Sequence, residues 1–397
     1  MAILKFALRR NLIYPVQHIL WSFARQLLTM FMKSYFKFSS SLIFTPLMFL
    51  GELFGGTIFY FYQKATMKEK KKEEKVQYFM SIKLVKKEED NNFEPIDDNI
   101  KILFLIFLAA LFDEVEYLLA ATYLPKFIKL SGSFSSRLSG ISTLFILLFY
   151  LYALKLPIFK HHKFSLIIIS ICLILIIISE YFYQEINIYF TYAELTIALC
   201  FIIITNMLLA LMDSLEKYLY EYDYMNPFIV LMYEGLFGFI LTFLYFLVPG
   251  YLDDIGVVYK NTTGGEFALF IFLLFLYILF SGGKNLFRVV TIKIYSPLTK
   301  SLTDYFLNPI YIVYHVGALK DFFTDEKMNI PYFTINLVLS LIISFFGCVY
   351  NEFIIIYLFG LEKDTFHQIS KRAKSSVKAE LAFLNGEEES EDSESSV

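Results

Sequence analysis

The residues of this sequence whose types and spacing could do chemistry are charged side chains inside apolar stretches. Asp113 and Glu116 are three residues apart, and Lys284 and Arg288 are four apart, so each pair would lie on one face of a helix. An ionisable group at membrane depth costs about 2.5–3.5 kcal/mol and therefore usually faces the protein interior beside a partner. The four residues predict a buried ionic network. It would either line a cavity for an anionic or zwitterionic solute or clamp two parts of the protein together.

Other charged residues extend this set of candidates. Glu52 and Glu234 occur in similar glycine-containing segments, where they could carry protons, contact a solute, or simply pack at a helix crossing. Lys300 and Asp304 form an i, i+4 pair, and a lysine there would suit a phosphate or carboxylate. Asn308 precedes a proline that would interrupt the helix, and interrupted helices are common near solute sites in transporters. The candidate cavity residues are Glu52, Asp113, Glu116, Arg137, Glu216, Lys217, Glu234, Lys284, Arg288, Lys300, Asp304 and Asn308.

Two adjacent histidines, His161 and His162, lie between Lys160 and Lys163. This basic setting is more typical of a solvated loop that faces lipid headgroups than of a metal site. The three cysteines lie in apolar runs without metal-ligand spacing. The sequence has no glycine-rich phosphate loop, nucleophile motif or zinc pattern, so we expect no enzymatic activity, no cofactor and no metal site.

The composition indicates which elements must position these residues. Of the 397 residues, 57% are hydrophobic and 18% are charged, against about 45–50% and about 25% in soluble domains. This excludes a soluble enzyme and a nucleic-acid-binding protein. Apolar segments of about 20 residues predict membrane-spanning helices, and the protein should be an all-α integral membrane protein. The ten predicted spans are 12–32, 41–62, 100–124, 138–155, 164–184, 191–213, 227–248, 267–292, 301–319 and 332–358. The first is the weakest and could instead lie at the membrane interface.

Short similarities between the two halves predict an internal repeat. Gly51-Glu52-Leu53-Phe54-Gly55 resembles Glu234-Gly235-Leu236-Phe237-Gly238, and Leu111-Phe112-Asp113 corresponds to Leu279-Phe280-Ser281. Five spans per repeat is an odd number, so the second copy would be inverted, as in many transporters. The predicted organisation is the first two spans (1–62), a charged loop (63–99), the rest of the first repeat (100–190), the second repeat (191–360) and a charged tail (361–397).

The distribution of basic residues predicts the orientation. About two thirds of the 35 Lys and Arg residues fall in the segments that an even number of spans places on the side of both termini. This side should be the cytosol or the mitochondrial matrix. The first 51 residues contain arginines but no acid, which favours the mitochondrial inner membrane. The glycosylation sequon at Asn261 would instead suit a lysosomal or other endomembrane.

Several strings resemble the drug/metabolite transporter superfamily, and within it solute carrier family 35, subfamily F, whose members are similar to nucleotide-sugar transporters. They are Met48-Phe49-Leu50-Gly51-Glu52, Leu111-Phe112-Asp113, Leu215-Glu216-Lys217-Tyr218, Glu234-Gly235-Leu236-Phe237-Gly238-Phe239 and Thr299-Lys300-Ser301-Leu302-Thr303-Asp304. The resemblance covers about residues 40–360. It implies ten transmembrane helices in two inverted five-helix repeats around a central cavity.

The resemblance also implies a function. Members of the family carry small solutes by alternating access. We therefore expect this chain to carry a small polar or anionic solute, with membrane lipid around the protein. The alternative is a non-transporting structural subunit of a larger membrane complex, for example a mitochondrial respiratory complex, with other protein subunits as partners. Neither possibility involves nucleic acid.

Overall fold

The protein is described here from a computed structural model. The structure describes residues 4–6, 13–36, 43–70, 98–119, 140–152, 159–184, 192–247, 258–260, 262–307, 330–357 and 360–365, with isolated residues at 256, 309 and 368. Two candidate residues, Arg137 and Asn308, and the sequon residue Asn261 lie outside this part of the chain.

Within the described residues the protein is all-α apart from two three-residue strands. The helices are α1 (Ile13–Phe36), α2 (Phe44–Lys70), α3 (Asp98–Leu118), α4 (Ile141–Tyr152), α5 (Lys160–Gln184), α6 (Tyr192–Glu221), α7 (Pro227–Leu241), α8 (Gly264–Ile294), α9 (Pro297–Tyr305) and α10 (Ile330–Tyr350). A 3₁₀ helix, Thr242–Leu247, continues α7, and another spans Leu361–Asp364. Each α-helix overlaps one of the apolar segments predicted from the sequence.

Apolar composition and length make this a multi-pass membrane protein. An α-helix rises about 1.5 Å per residue, so about 20 apolar residues cross the hydrocarbon core. By length and composition, five helical segments of the described residues meet this requirement: Phe44–Thr66, Lys160–Ser179, Thr196–Glu221, Pro227–Leu244 and Gly264–Ile294. α4 and α9, with 12 and 9 described residues, are shorter than a membrane span.

Side-chain caps set where three of the helices begin. The Asn226 side chain accepts a hydrogen bond from the backbone N–H of Phe228 at the start of α7. Thr263 and Glu266 form a reciprocal capping box at the start of α8, and Ser296 caps α9. Such caps satisfy backbone N–H groups that have no partner within the helix. They fix the starting points, and hence the register, of helices that carry candidate residues.

Glycines allow α2 to approach both α7 and α8 at backbone contact. A Cβ atom added to Gly282 of α8 would lie 2.6 Å from the carbonyl oxygen of Gly51 in α2. A Cβ added to Gly235 of α7 would lie 2.9 Å from the Cβ of Glu52. The glycines therefore bring the helix bearing Glu52 against the helices bearing Glu234 and Arg288.

The other helices surround this centre. α1 packs on α8, while α3 packs on α6 and α7. α4 contacts α6 and α9, and α5 packs along α10. Helix α9 also contacts α8 and α10, and its Ser301 hydroxyl lies 2.8 Å from the hydroxyls of both Ser142 and Thr143 of α4.

A short antiparallel sheet joins the beginning of the chain to the segment after α10. Strand β1 (Leu4–Phe6) pairs with β2 (Ile354–Ile356), with Leu4 opposite Ile356. The amino-terminal segment and the residues that follow the last helix therefore lie at the same end of the molecule.

Candidate functional site

A buried arginine on α8 holds four carboxylates from three other helices. The Arg288 guanidinium lies 2.6 Å from Glu216 and 3.6 Å from Asp213, both on α6. It lies 3.3 Å from Glu234 of α7 and 3.9 Å from Glu52 of α2. All five side chains are buried. We call these five residues the Arg288 cluster, and they join four helices of the bundle.

An amide fixes the position of the Glu52 carboxylate. The Asn285 side chain donates a 2.6 Å hydrogen bond to Oε1 of Glu52. Asn285 and Arg288 are three residues apart on one face of α8, so they approach this carboxylate together. The close contact of Gly51 with Gly282 brings the two backbones near enough for both interactions.

The Arg288 cluster contains more carboxylates than its single guanidinium can neutralise. Oε2 of Glu52, Oε1 of Glu234 and Oε2 of Glu216 have no hydrogen-bond donor among the described residues. Glu216 and Glu234 both lie at the Arg288 guanidinium, so a proton on one of these two carboxyl groups would reduce the excess of buried negative charge. Burial of an unpaired charge is expensive, so the cluster is suited to holding a proton or another cation.

A second chain of polar contacts begins at Asp213 and continues to α9 and α1. Lys300 lies 3.0 Å from Asp213 and 3.3 Å from Asp304. Nε2 of His18 lies 2.7 Å from Asp304, and its Nδ1 lies 3.0 Å from the carbonyl oxygen of Lys284. Because a carbonyl can only accept, Nδ1 donates there, and the contact of Nε2 with Asp304 needs a second proton. The His18–Asp304 pair thus shares a proton at the edge of the network.

Lys284 differs from Arg288 and Lys300 in having no carboxylate within 4 Å among the described residues. It interacts electrostatically with Asp113 and Glu116 of α3 and with Asp304 of α9. Asp113 and Glu116 lie on α3 and Lys284 lies on α8, but these two helices are not closely packed against each other. The Asp304 side chain is 28% exposed, more than any member of the Arg288 cluster. We call Asp113, Glu116, Lys284 and Asp304 the open sector.

The network predicted from the sequence therefore forms with different partners. Asp113 and Glu116 make no ion pair within 4 Å to Lys284 or Arg288 in the described part of the chain. Arg288 is instead surrounded by carboxylates of α2, α6 and α7, helices that pack close to it. The Asp113 side chain still interacts electrostatically with Arg288, but from a greater distance.

Adjacent candidates on α6 have separate roles. Glu216 contacts Arg288, whereas the Lys217 ammonium lies 2.7 Å from Glu221. Lys217 also donates to the carbonyl oxygens of Lys293 and Tyr295 at the end of α8. A cation at carbonyls that lack partners stabilises a helix end. Lys217 therefore caps α8 and lies apart from the Arg288 cluster.

Three contributors were not among the sequence candidates: Asp213, His18 and Asn285. Asp213 precedes Glu216 by three residues, the same spacing that singled out Asp113 and Glu116, so this rule would have found it. His18 was visible as a polar residue in an apolar segment. Asn285 carried no signal of its own, because a single amide in an apolar helix has several ordinary roles.

The adjacent histidines lie in a different environment from the one expected. His161 and His162 are in the first turn of α5, and His161 is 2% exposed. The expectation of a solvated loop is therefore wrong for His161, because α10 and the segment after it cover this end of α5. Nε2 of His161 lies 3.4 Å from Glu352, just beyond α10.

Comparison of the sequence with protein-family models and with curated proteins finds no match. The functional proposal for this chain therefore depends on its own residues and their arrangement.

Proposed function

We propose that this protein is a carrier that moves a small polar solute across a membrane by alternating access. The observation that carries the proposal is the open sector. Lys284 interacts electrostatically with three carboxylates but has none of them within 4 Å. Its helix, α8, is not closely packed against α3. Ionisable residues inside a membrane protein commonly mark a solute or ion path.

The pattern of helix neighbours supports two inverted five-helix repeats of the drug/metabolite transporter type. If α1–α5 correspond to α6–α10, each cross-repeat contact should have a counterpart. The contact of α1 with α8 corresponds to that of α6 with α3, and the contact of α2 with α8 corresponds to that of α7 with α3. The pairs α2–α7, α4–α9 and α5–α10 correspond to themselves, as expected for helices that face each other across a two-fold axis.

The balance of charge favours a polar or zwitterionic solute over a purely anionic one. Arg288 and Lys300 are already paired with carboxylates, so an anion would have to displace a buried acid to reach either cation. The open sector instead offers the Lys284 ammonium and the carboxylates of Asp113 and Glu116, beside the Arg25 guanidinium, while Asp304 is already paired with Lys300 and His18. We further propose that the Arg288 cluster holds the coupling proton, since four buried carboxylates surround its one guanidinium.

The small sheet supports a common side for both termini. β1 and β2 are paired, so the beginning of the chain lies at the end where α10 finishes. With the excess of Lys and Arg in the segments assigned to that side, we propose that both termini face the cytosol or matrix. The mitochondrial inner membrane remains our prediction over a lysosomal or other endomembrane.

One observation favours the alternative of a structural subunit. Arg288 and Lys300 are both in direct ion pairs with carboxylates of other helices. Such a network could hold the two halves in a fixed arrangement. The two functions differ at the open sector, because only a carrier requires that a solute reach Lys284.

The experiment uses the full chain purified in mild detergent. Unfolding temperature is measured with amino acids, amines, nucleosides and organic acids, and proteins that co-purify are identified. The carrier proposal predicts that a polar solute raises the unfolding temperature and that Lys284→Ala abolishes the increase. Lys293→Ala, on the same helix but beside Lys217 and Glu221, is the matched control and should keep it. Stoichiometric recovery with other membrane subunits, and no solute effect, would contradict the proposal.

A further inference from the structure

A group of metal-ligating side chains lies outside the Arg288 cluster and the open sector, where the start of α5 meets the end of α10. The candidate ligand atoms of His161, His162 and Glu352 all lie within 4.8 Å of one another. His161 and Glu352 are buried, and His162 is half-buried. We propose that these three side chains bind a divalent transition-metal ion of the zinc class.

The burial of His161 and the lack of hydrogen bonds to its ring are consistent with a metal ligand. Its side chain is buried, and neither ring nitrogen has a hydrogen-bond partner among the described residues. Nε2 lies 3.4 Å from Oε1 of Glu352, a separation close to that between two ligands on one tetrahedral ion with bonds of about 2.0–2.1 Å. A buried imidazole without hydrogen bonds is costly, and a metal ion would give one of the His161 ring nitrogens a partner.

The second histidine is oriented by neighbouring rings. The imidazoles of His161 and His162 have centroids 4.1 Å apart and are inclined at 61°. The ring of Tyr350 lies 4.5 Å from His162, and Phe159 lies parallel to His161 at 6.1 Å. A hydrophobic shell around a metal site controls solvent access to it, and the Tyr350 and Phe159 rings are part of such a shell here.

The third ligand occupies a backbone position that usually belongs to glycine. Glu352 has φ of 56°, in the left-handed region. The N–H of Phe353 bonds to the carbonyl of Cys348, and the N–H of Glu352 bonds to that of Val349. These two bonds form a Schellman motif in which glycine is preferred at the position of Glu352. A glutamate in this strained conformation is consistent with a use for its side chain.

Ligand chemistry selects the class of metal. Two imidazoles and one carboxylate suit Zn²⁺ and neighbouring first-row ions better than Ca²⁺ or Mg²⁺, which prefer oxygen ligands alone. Three protein ligands leave a fourth position for water. The site lies two residues before β2, which pairs with β1, so the metal would be taken up on the side of the termini.

The experiment measures zinc on the purified full-length chain after treatment with a chelator. We expect one zinc ion per chain, bound with a dissociation constant of about 1 μM or tighter, and a zinc-dependent rise in unfolding temperature. Loss of an outer partner already weakens metal binding about 10–100-fold, so His162→Gln should weaken it by at least about 100-fold. Lys160→Gln, at the exposed neighbouring position, should leave zinc binding unchanged.

Glu352→Gly distinguishes two possible roles of Glu352, as a metal ligand or as a member of a structural ion pair. Glycine fits the left-handed backbone, so without zinc this variant should unfold at the same temperature as the wild type or higher, while zinc no longer stabilises it. Cys348→Ser, one turn earlier on α10, should bind zinc as the wild type does. The proposal is overturned if the wild type binds no zinc at 100 μM, or if Glu352→Gly and His162→Gln bind it as tightly as the wild type. The metal site can fail while the carrier proposal stands, since none of its ligands belongs to the open sector.

Discussion

The amide of Asn285 donates a 2.6 Å hydrogen bond to the carboxylate of Glu52, and this bond joins α8 to α2 beside the point where their backbones touch. Gly51 and Gly282 make the contact possible, and Arg288 lies three residues further along the same face of α8. Backbone packing and the ionic cluster therefore depend on each other. Separation of the two helices would remove a hydrogen bond and weaken an ion pair at once.

Gly282→Ala tests this dependence with the smallest possible change. The added Cβ would meet the Gly51 carbonyl oxygen at 2.6 Å, and overpacking of this kind costs about 1–3 kcal/mol or more. The free energy of unfolding in detergent should fall accordingly. The control is Gly265→Ala on the same helix, where nothing lies within 4 Å of the new Cβ and removal of a helical glycine should stabilise by up to about 1 kcal/mol. Changes of the same sign in both variants would contradict the account.

Arg288→Met should be among the most destabilising substitutions in the described part of the chain. It would leave four buried carboxylates without their shared cation, and loss of one partner of a buried ion pair costs about 3–5 kcal/mol. Thermal unfolding and gel filtration in detergent measure the effect. Adding Glu216→Gln and Glu234→Gln to Arg288→Met should restore part of the stability, because fewer unpaired acids remain. Equal losses with and without these changes would mean that the acids do not depend on Arg288.

The sequence was sufficient to predict the helices and most of the charged residues that meet in the core. Apolar length identified each helical segment, and the cost of buried charge singled out Arg288 and Glu234. It did not predict which charges pair, because pairing depends on how closely helices approach. That approach is set by glycines such as Gly51 and Gly282, whose partners in space are not visible in the sequence. This is why Glu216, and not the predicted Asp113, lies beside Arg288.

Ser301→Ala tests the contact between α4 and α9, the two short helices that face each other. The Ser301 hydroxyl lies 2.8 Å from those of both Ser142 and Thr143, so its loss removes their shared partner in a buried position. We expect the free energy of unfolding to fall by about 1–3 kcal/mol. Ser214→Ala is the matched control, because that hydroxyl bonds only within its own helix, to the carbonyl of Ala210. A larger loss in the control would contradict the role of this contact.

Lys217→Met should distinguish a helix cap from a cavity residue. The ammonium group bonds to two carbonyl oxygens at the end of α8, so its loss should lower stability by about 1 kcal/mol. The stabilisation by a bound solute should be unchanged, in contrast to Lys284→Ala. Loss of the solute effect in Lys217→Met, with the fold intact by circular dichroism, would place Lys217 in the solute path after all.

The most direct test of the carrier proposal is the reactivity of a cysteine at position 284 from each side of a membrane. Cys172, Cys200 and Cys348 are replaced by serine, Lys284→Cys is introduced, and the chain is reconstituted in vesicles. A membrane-impermeant thiol reagent is then applied to either face, with Lys160→Cys as the control that should react from the side of the termini alone. Alternating access predicts that the cysteine at position 284 reacts from both sides in turn. Reaction from one side only, or from neither, would contradict a carrier and favour a static subunit.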